Sequence, residues 1–368
     1  MLPLLLSVFC SFIVLARSHV PLPNITLPWG TWQSTQYDSN GDFYTFENIR
    51  FGKPPTGDLR FRASESPDPI DEPETLQNST YGPTCIQIDV NEPCAPGPDE
   101  LITTLAKSNL SAGLPPFKTV QDEDCLFLDV YVPRKVLEGK SAPAPVVVWI
   151  YGGAFVYGGK NEFGSLVPLY NGTGWMNAGT AAGHDMIFVV GNYRVGAYGW
   201  LAGKTMEKEG TPNAGLSDQR LLLQWVQDYI HLFNGDKKSV SAWGQSAGAG
   251  SIMHHLLAEK GTRDPLFRKA IMQSPAVSWS ADRFHTMEGV FNNFTVFAGC
   301  ESGDIQCLRD APAKDLIEAN QDLFVSGTQC TGVFDVGPSL DGILIHDLPP
   351  LAFSKGSSYQ LAPLSFVY

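Results

Sequence analysis

Apolar positions fall into short, largely uninterrupted runs, set off by one stretch of clear helical periodicity. Leu126 to Val132 reads as a strand. Val146 to Tyr151 is a β-branched run closed by Gly152-Gly153, Met186 to Gly191 is a second, and Ser239 to Trp243 a third. Continuous apolar runs of this length between turn residues suit strands buried on both faces. Between the last two, within Ser217 to Phe233, the residues Leu221, Leu222, Trp225, Val226, Tyr229, Leu232 and Phe233 repeat at the 3.6-residue spacing of an amphipathic helix. Ala247 to Leu257 reads as another helix. Strands alternating with helices predict an α/β fold, a mostly parallel sheet with helices on both faces. Asn91 to Thr119, rich in Pro, Gly and Ser, predicts irregular surface loop. Beyond about Ala281 the signals weaken. There is no visible repeat or linker, so residues 19–368 are expected to form one domain.

Composition narrows the setting. The chain has 368 residues, 43% hydrophobic and 17% charged, a globular balance. Its formal net charge is −13, which opposes nucleic acid and anionic membranes as partners. Met1 to Leu15 is almost wholly apolar and precedes Ala16-Arg17-Ser18, a small-x-small pattern. That predicts a secretory signal peptide over 1–18, cut after Ser18, and thus an extracellular protein. The run is too short for a stable membrane anchor, which needs about 20 apolar residues. Five N-x-S/T sequons, at Asn24, Asn78, Asn109, Asn171 and Asn293, fit an extracellular glycoprotein. Outside the signal, six cysteines remain (Cys85, Cys94, Cys125, Cys300, Cys307 and Cys330), and an even number in a secreted chain suggests disulfides over free thiols. No C-x-x-C pair occurs, which argues against zinc, and neither metal nor organic cofactor is expected.

The sharpest chemical signal is Gly244-Gln245-Ser246-Ala247-Gly248, a G-x-S-x-G turn between a strand and a helix. A serine at the tip of so tight a turn is held in strained backbone, and only hydrogen side chains fit two residues to either side. Taken alone, five such residues could be an ordinary glycine-rich loop. The preceding apolar strand and the small residues Ala247 to Ser251 favour a nucleophile elbow. A nucleophilic serine needs donors for the oxyanion that forms on attack. The Ala247 N–H opens the helix, where unpaired amides and the helix dipole favour negative charge. The turn Tyr151-Gly152-Gly153-Ala154-Phe155 is placed to supply more. One such donor contributes about 3–4 kcal/mol to transition-state stabilisation.

These motifs resemble the type-B carboxylesterases, the group of cholinesterases and some fungal lipases. The resemblance is carried by Glu123-Asp124-Cys125-Leu126-Phe127-Leu128-Asp129-Val130, by the turn at Tyr151 to Phe155, by Gly191 to Gly199, by Asn213 to Arg220, by the block around Ser246, and by Pro338-Ser339-Leu340-Asp341-Gly342. It covers the chain from about Phe43 almost to its end. It implies an α/β-hydrolase fold, Ser246 as nucleophile, and Gly153, Ala154 and Ala247 as oxyanion donors. It also implies disulfides Cys85–Cys125 and Cys300–Cys307, leaving Cys94 and Cys330 unassigned. Where the family often has Glu before the serine, this chain has Gln245.

In the family an acid and then a histidine follow the serine. Residues 360–368 hold no counterpart of the acid block, and the sequence stops at Tyr368, before the histidine. The expectation is a carboxylic ester hydrolase present here as an incomplete, inactive version, acting when whole on a small-molecule or lipid ester. Two other readings are a non-catalytic cholinesterase-like binding or adhesion module, and a short chain active with an unusual base such as an Asp341–His346 pair. Retention of the serine and its donors counts against the module. His254, His255, His285 and His346 read as packing or surface residues, Asp341 as a turn residue, and Arg194 and Asp218 as buried scaffold.

Overall fold

The structure, a computed structural model, describes residues 21–88, 120–161, 170–277, 281–301, 303–326, 336–361 and 365–367. The expected signal peptide, the loop from Asn91 to Thr119, the sequon at Asn109, and Cys94 and Cys330 lie outside the described residues.

Among the described residues ten strands form: β1 (Asn24–Leu27), β2 (Gly30–Gln33), β3 (Gln36–Asp38), β4 (Phe43–Arg50), β5 (Phe127–Pro133), β6 (Ala144–Ile150), β7 (Ile187–Gly191), β8 (Gly235–Gln245), β9 (Lys269–Gln273) and β10 (Ser365–Val367). β1 and β2 pair as a separate hairpin. The other eight make one sheet in the order β10-β9-β8-β6-β7-β5-β4-β3. The pairs from β10 through to β7 are parallel, and those joining β7, β5, β4 and β3 are antiparallel. The central β6 and β7 are buried on both faces, which is why their sequences run apolar without alternation.

Six helices matter here: α1 (Thr173–Ala181), α2 (Ala214–Tyr229), α3 (Ala247–Gly261), α4 (Thr286–Phe297), α5 (Ile305–Asp310) and α6 (Ala313–Ser326). Side chains alternate across a strand, so Trp149 and its register partner Trp243 share one face. There Trp175 of α1 meets Trp243 edge-on, ring centres 5.2 Å apart. On the opposite face Gly191 lies under Leu222 of α2, and Gly244 lies under the start of α3. Helices therefore cover both faces of a mainly parallel sheet, the α/β-hydrolase arrangement. α2 begins earlier than its periodicity predicts, at Ala214, and continues past Tyr229 as a 3₁₀ turn through Phe233. α3 is regular through Leu257; Ala258, Glu259 and Lys260 leave helical geometry.

Beyond Ala281 the structure is more ordered than the sequence signal indicates. In α4, Met287, Val290, Phe291 and Phe294 are buried at helical spacing, with exposed Asn293 between them. This region is tied back to the front of the chain by Arg60. Its guanidinium makes two 2.7 Å bonds to Glu123 and donates to the carbonyls of Leu308, Arg309 and Ala311, at and just past the C-terminus of α5. Arg194 and Asp218 form a second buried pair, with two side-chain bonds of 2.8 Å and a third from the Arg194 N–H. Disulfides join Cys85 to Cys125 and Cys300 to Cys307.

Candidate active site

β8 ends at Gln245 and α3 starts at Ala247, so Ser246 alone makes the reversal. Its backbone sits at φ 54°, ψ −120°, a conformation that costs a non-glycine residue about 1–3 kcal/mol. Neighbouring amides hold it there. The Ser246 N–H donates to Gln273 O at 2.9 Å, and its carbonyl accepts from Gly250 and Ala276 at 2.9 and 3.0 Å. The flanking glycines are required by contact. A Cβ on Gly244 would lie 2.8 Å from the Gly248 carbonyl carbon, one on Gly248 2.0 Å from Ile150 O, and one on Gly250 2.0 Å from Ala276 O.

The glycine-rich turn after β6 packs beside this serine. A Cβ on Gly152 would meet Ser246 Cβ at 3.1 Å and both the backbone O and Oε1 of Gln245 at 2.8 Å. Gly153, Ala154 and Phe155 then run through three successive positive φ angles, 125°, 53° and 66°. Two of these residues carry side chains, so the turn is strained. It is fixed by the Val156 and Tyr157 amides donating to Gly153 O and by Gly196 N–H donating to Phe155 O at 2.8 Å. Only glycine fits at 153, where a Cβ would come within 2.0 Å of Tyr157 O. Across the serine, Ala247 is the first residue of α3, so its N–H has no acceptor within the helix and points from the positive end of the dipole.

Beneath the turn lies a polar chain the sequence reading missed. Ser251 Oγ donates to Ala247 O at 2.9 Å and accepts from Gln219 Nε2 at 3.0 Å, and His255 Nε2 lies 3.0 Å from Gln219 Oε1. The available signal was the four-residue spacing of Ala247, Ser251 and His255, which stacks them on one helix face.

His254 and His255 are fully buried, and desolvation pushes their pKa values down to about 4 and about 3. Among the described residues neither ring nitrogen of His254 has a partner. His285 is exposed beside Asp282 at 3.2 Å. The Asp341 carboxylate is consumed by a turn: Oδ1 accepts from the amides of Ile343, Leu344 and Ile345, and Oδ2 from Asn213 Nδ2 at 2.8 Å. Among the described residues no side chain hydrogen-bonds Ser246 Oγ.

Comparison with known proteins agrees with this fold. A family model described as the carboxylesterase family matches residues 22–364. A secreted lipase of Arthroderma benhamiae is 35% identical over 345 residues, 92% of this chain and 55% of the relative. Carboxylesterase patB of Penicillium expansum is 34% identical, covering 89% of this chain and 61% of the relative. Among solved structures, Aspergillus niger EstA superimposes with a TM-score of 0.72 at 30% identity, over 94% of this chain and 59% of that one. The chain thus spans somewhat more than half the length of the curated relatives it matches. The chain belongs to the carboxylesterase family.

Proposed function

We propose that the whole protein hydrolyses carboxylic esters of small molecules or lipids through an acyl-enzyme on Ser246. The observation that carries this reading is the strained Ser246 backbone at the β8–α3 junction, with the turn at Gly152 packed against it. Ser246 Oγ attacks the ester carbonyl carbon and gives its proton to a base. The tetrahedral oxyanion is held by the N–H groups of Gly153, Ala154 and Ala247. Collapse expels the alcohol, which takes the proton, and water then releases the acid by the same route in reverse. The family resemblance implies a histidine as base; no described residue is assigned to that role. The residue before the serine, beside Gly152, is the neutral Gln245.

Secretion is part of the proposal. It is supported by the apolar segment Met1 to Leu15 with Ala16-Arg17-Ser18 after it, and by a relative named a secreted lipase. Exposed Asn24, Asn78, Asn171 and Asn293 are available for N-glycans. No described helix is long and apolar enough to cross a membrane.

The test uses protein recovered from culture medium, with a fluorophosphonate reporter and p-nitrophenyl esters of increasing acyl length. Labelling and turnover that vanish in Ser246→Ala are the expected result, and the chain-length profile separates lipase from short-chain esterase. Labelling that persists in Ser246→Ala would sink the reading.

A further inference from the structure

We infer that Ser251 is a positioning residue for the Ala247 N–H, held by a buried, one-directional hydrogen-bond chain that starts at His255 and passes through Gln219. This rests on the reading of Ser246 as nucleophile and Ala247 as oxyanion donor.

The direction of the chain follows from its partners. Ser251 spends its hydroxyl proton on Ala247 O, so it can only accept from Gln219 Nε2. The amide orientation this fixes leaves Gln219 Oε1 as an acceptor, and His255 must then carry its proton on Nε2. Every donor points toward the nucleophile turn, an order in which each bond polarises the next. Burial keeps the order intact. Ser251 and Gln219 are fully buried and His255 is 1% exposed, so water does not compete for these atoms.

Three polar side chains in a dry interior require a structural or functional return, since apolar groups of the same shape would pack there without a hydrogen-bonding requirement. The backbone group on which they converge is the carbonyl of the residue whose own N–H faces the oxyanion. The rest of the first turn of α3 is set by contacts that fix position: Gly248 against Ile150 O, and Gly250 N–H on Ser246 O. The Ser251 hydroxyl bonds the Ala247 carbonyl, in the peptide unit that follows the one carrying the Ala247 N–H, and so holds Ala247 from its C-terminal side while Gly250 and Ala276 hold the Ser246 carbonyl on the other. Small errors in donor geometry have large kinetic effects, which makes this bond a kinetic more than a stability feature.

The experiment is steady-state hydrolysis of a short p-nitrophenyl ester by the secreted protein, with active sites titrated by a fluorophosphonate so that misfolded protein is not counted. The first arm compares wild type with Ser246→Ala; no serine-dependent turnover would remove the underlying reading and the inference with it. With that turnover in hand, Ser251→Ala is expected to lower kcat about tenfold at unchanged KM, and Ser251→Thr, which keeps the hydroxyl, to recover it to within about threefold. Should Ser251→Ala not be secreted, Gln219→Met, of similar shape but without hydrogen-bonding groups, carries the same expectation. Titrated kcat within twofold of wild type in the variant that folds, or a change confined to KM, overturns the inference.

Discussion

Gly248 and Ile150 approach so closely that a methyl carbon on Gly248 would lie 2.0 Å from the Ile150 carbonyl oxygen. Both partners are backbone, one at the start of α3 and one at the end of β6, so neither can swing away. Gly248→Ala is expected to destabilise the protein by about 3 kcal/mol, at the upper end of overpacking effects. Gly289, in α4, has nothing within 4 Å of its Cβ position; Gly289→Ala is expected to stabilise by about 0.5–1 kcal/mol through helix propensity. Urea midpoints of the two variants, read side by side, check the contrast.

Ser246 stores strain that its own removal can release. Ser246→Gly is expected to raise stability by about 1 kcal/mol while abolishing ester turnover, because glycine adopts positive φ without a steric cost. Ser246→Ala keeps a Cβ and hence the strain, and should abolish turnover with no such gain. Thermal denaturation of both variants decides the point; equal stability would mean the backbone at 246 is not strained.

The buried histidines predict an acid-sensitive fold. His254 titrates near 6.5 when unfolded and at about 4 when folded, and His255 is lowered further, to about 3, by desolvation first and by Arg220 next. Below pH 6.5 the unfolded chain binds protons that the folded one refuses. Stability is therefore full above that pH and falls as pH drops toward the folded values, by up to about 1.4 kcal/mol per unit for each group. His254→Phe, which removes one of the two, should flatten the decline of melting temperature between pH 6.5 and 4. An unchanged slope would assign the acid sensitivity to other groups.

The two disulfides should contribute unequally. Cys85–Cys125 spans 40 positions and Cys300–Cys307 spans 7. In the chain-entropy account these correspond to about 4 and about 2.5 kcal/mol. Replacing each pair by serines and comparing unfolding free energies should show the larger loss for the first pair.

The strained strand-to-helix turn at Ser246 was legible because it is local. Two glycines, a serine, a preceding apolar strand and a following small-residue helix are read from thirteen consecutive positions, Ser239 to Ser251. β6 and β7 were legible because burial on both faces leaves an uninterrupted apolar run; β8 alternates buried and part-exposed positions, and only its stretch Ser239 to Trp243 was read as a strand. β4 was not: Phe43–Arg50 mixes apolar and polar residues, and its pairing with β5 shifts register between Phe46 and Ile49. The left-handed conformations of Ala154 and Phe155 were hidden for a different reason. Neither residue favours positive φ, and it is the contacts of Gly153 and Gly196 that impose it. The chain from His255 to Ala247 required knowing that α2 and α3 lie side by side, which brings Gln219 within reach of residues more than thirty positions later.

Arg60 sets a condition on how the molecule is made. Its bond to the Arg309 carbonyl joins residues 249 positions apart, and the strands that flank Ser246 are encoded between them. Contacts of such separation form late, after the loop they close has itself become compact. While the chain is being synthesised, the Arg60–Glu123 pair therefore waits, with its outward-facing donors unmet, until residues 308–311 have emerged. The consequence is a corner of the fold that closes only when the segments around Arg60, Glu123 and residues 308–311 are all present.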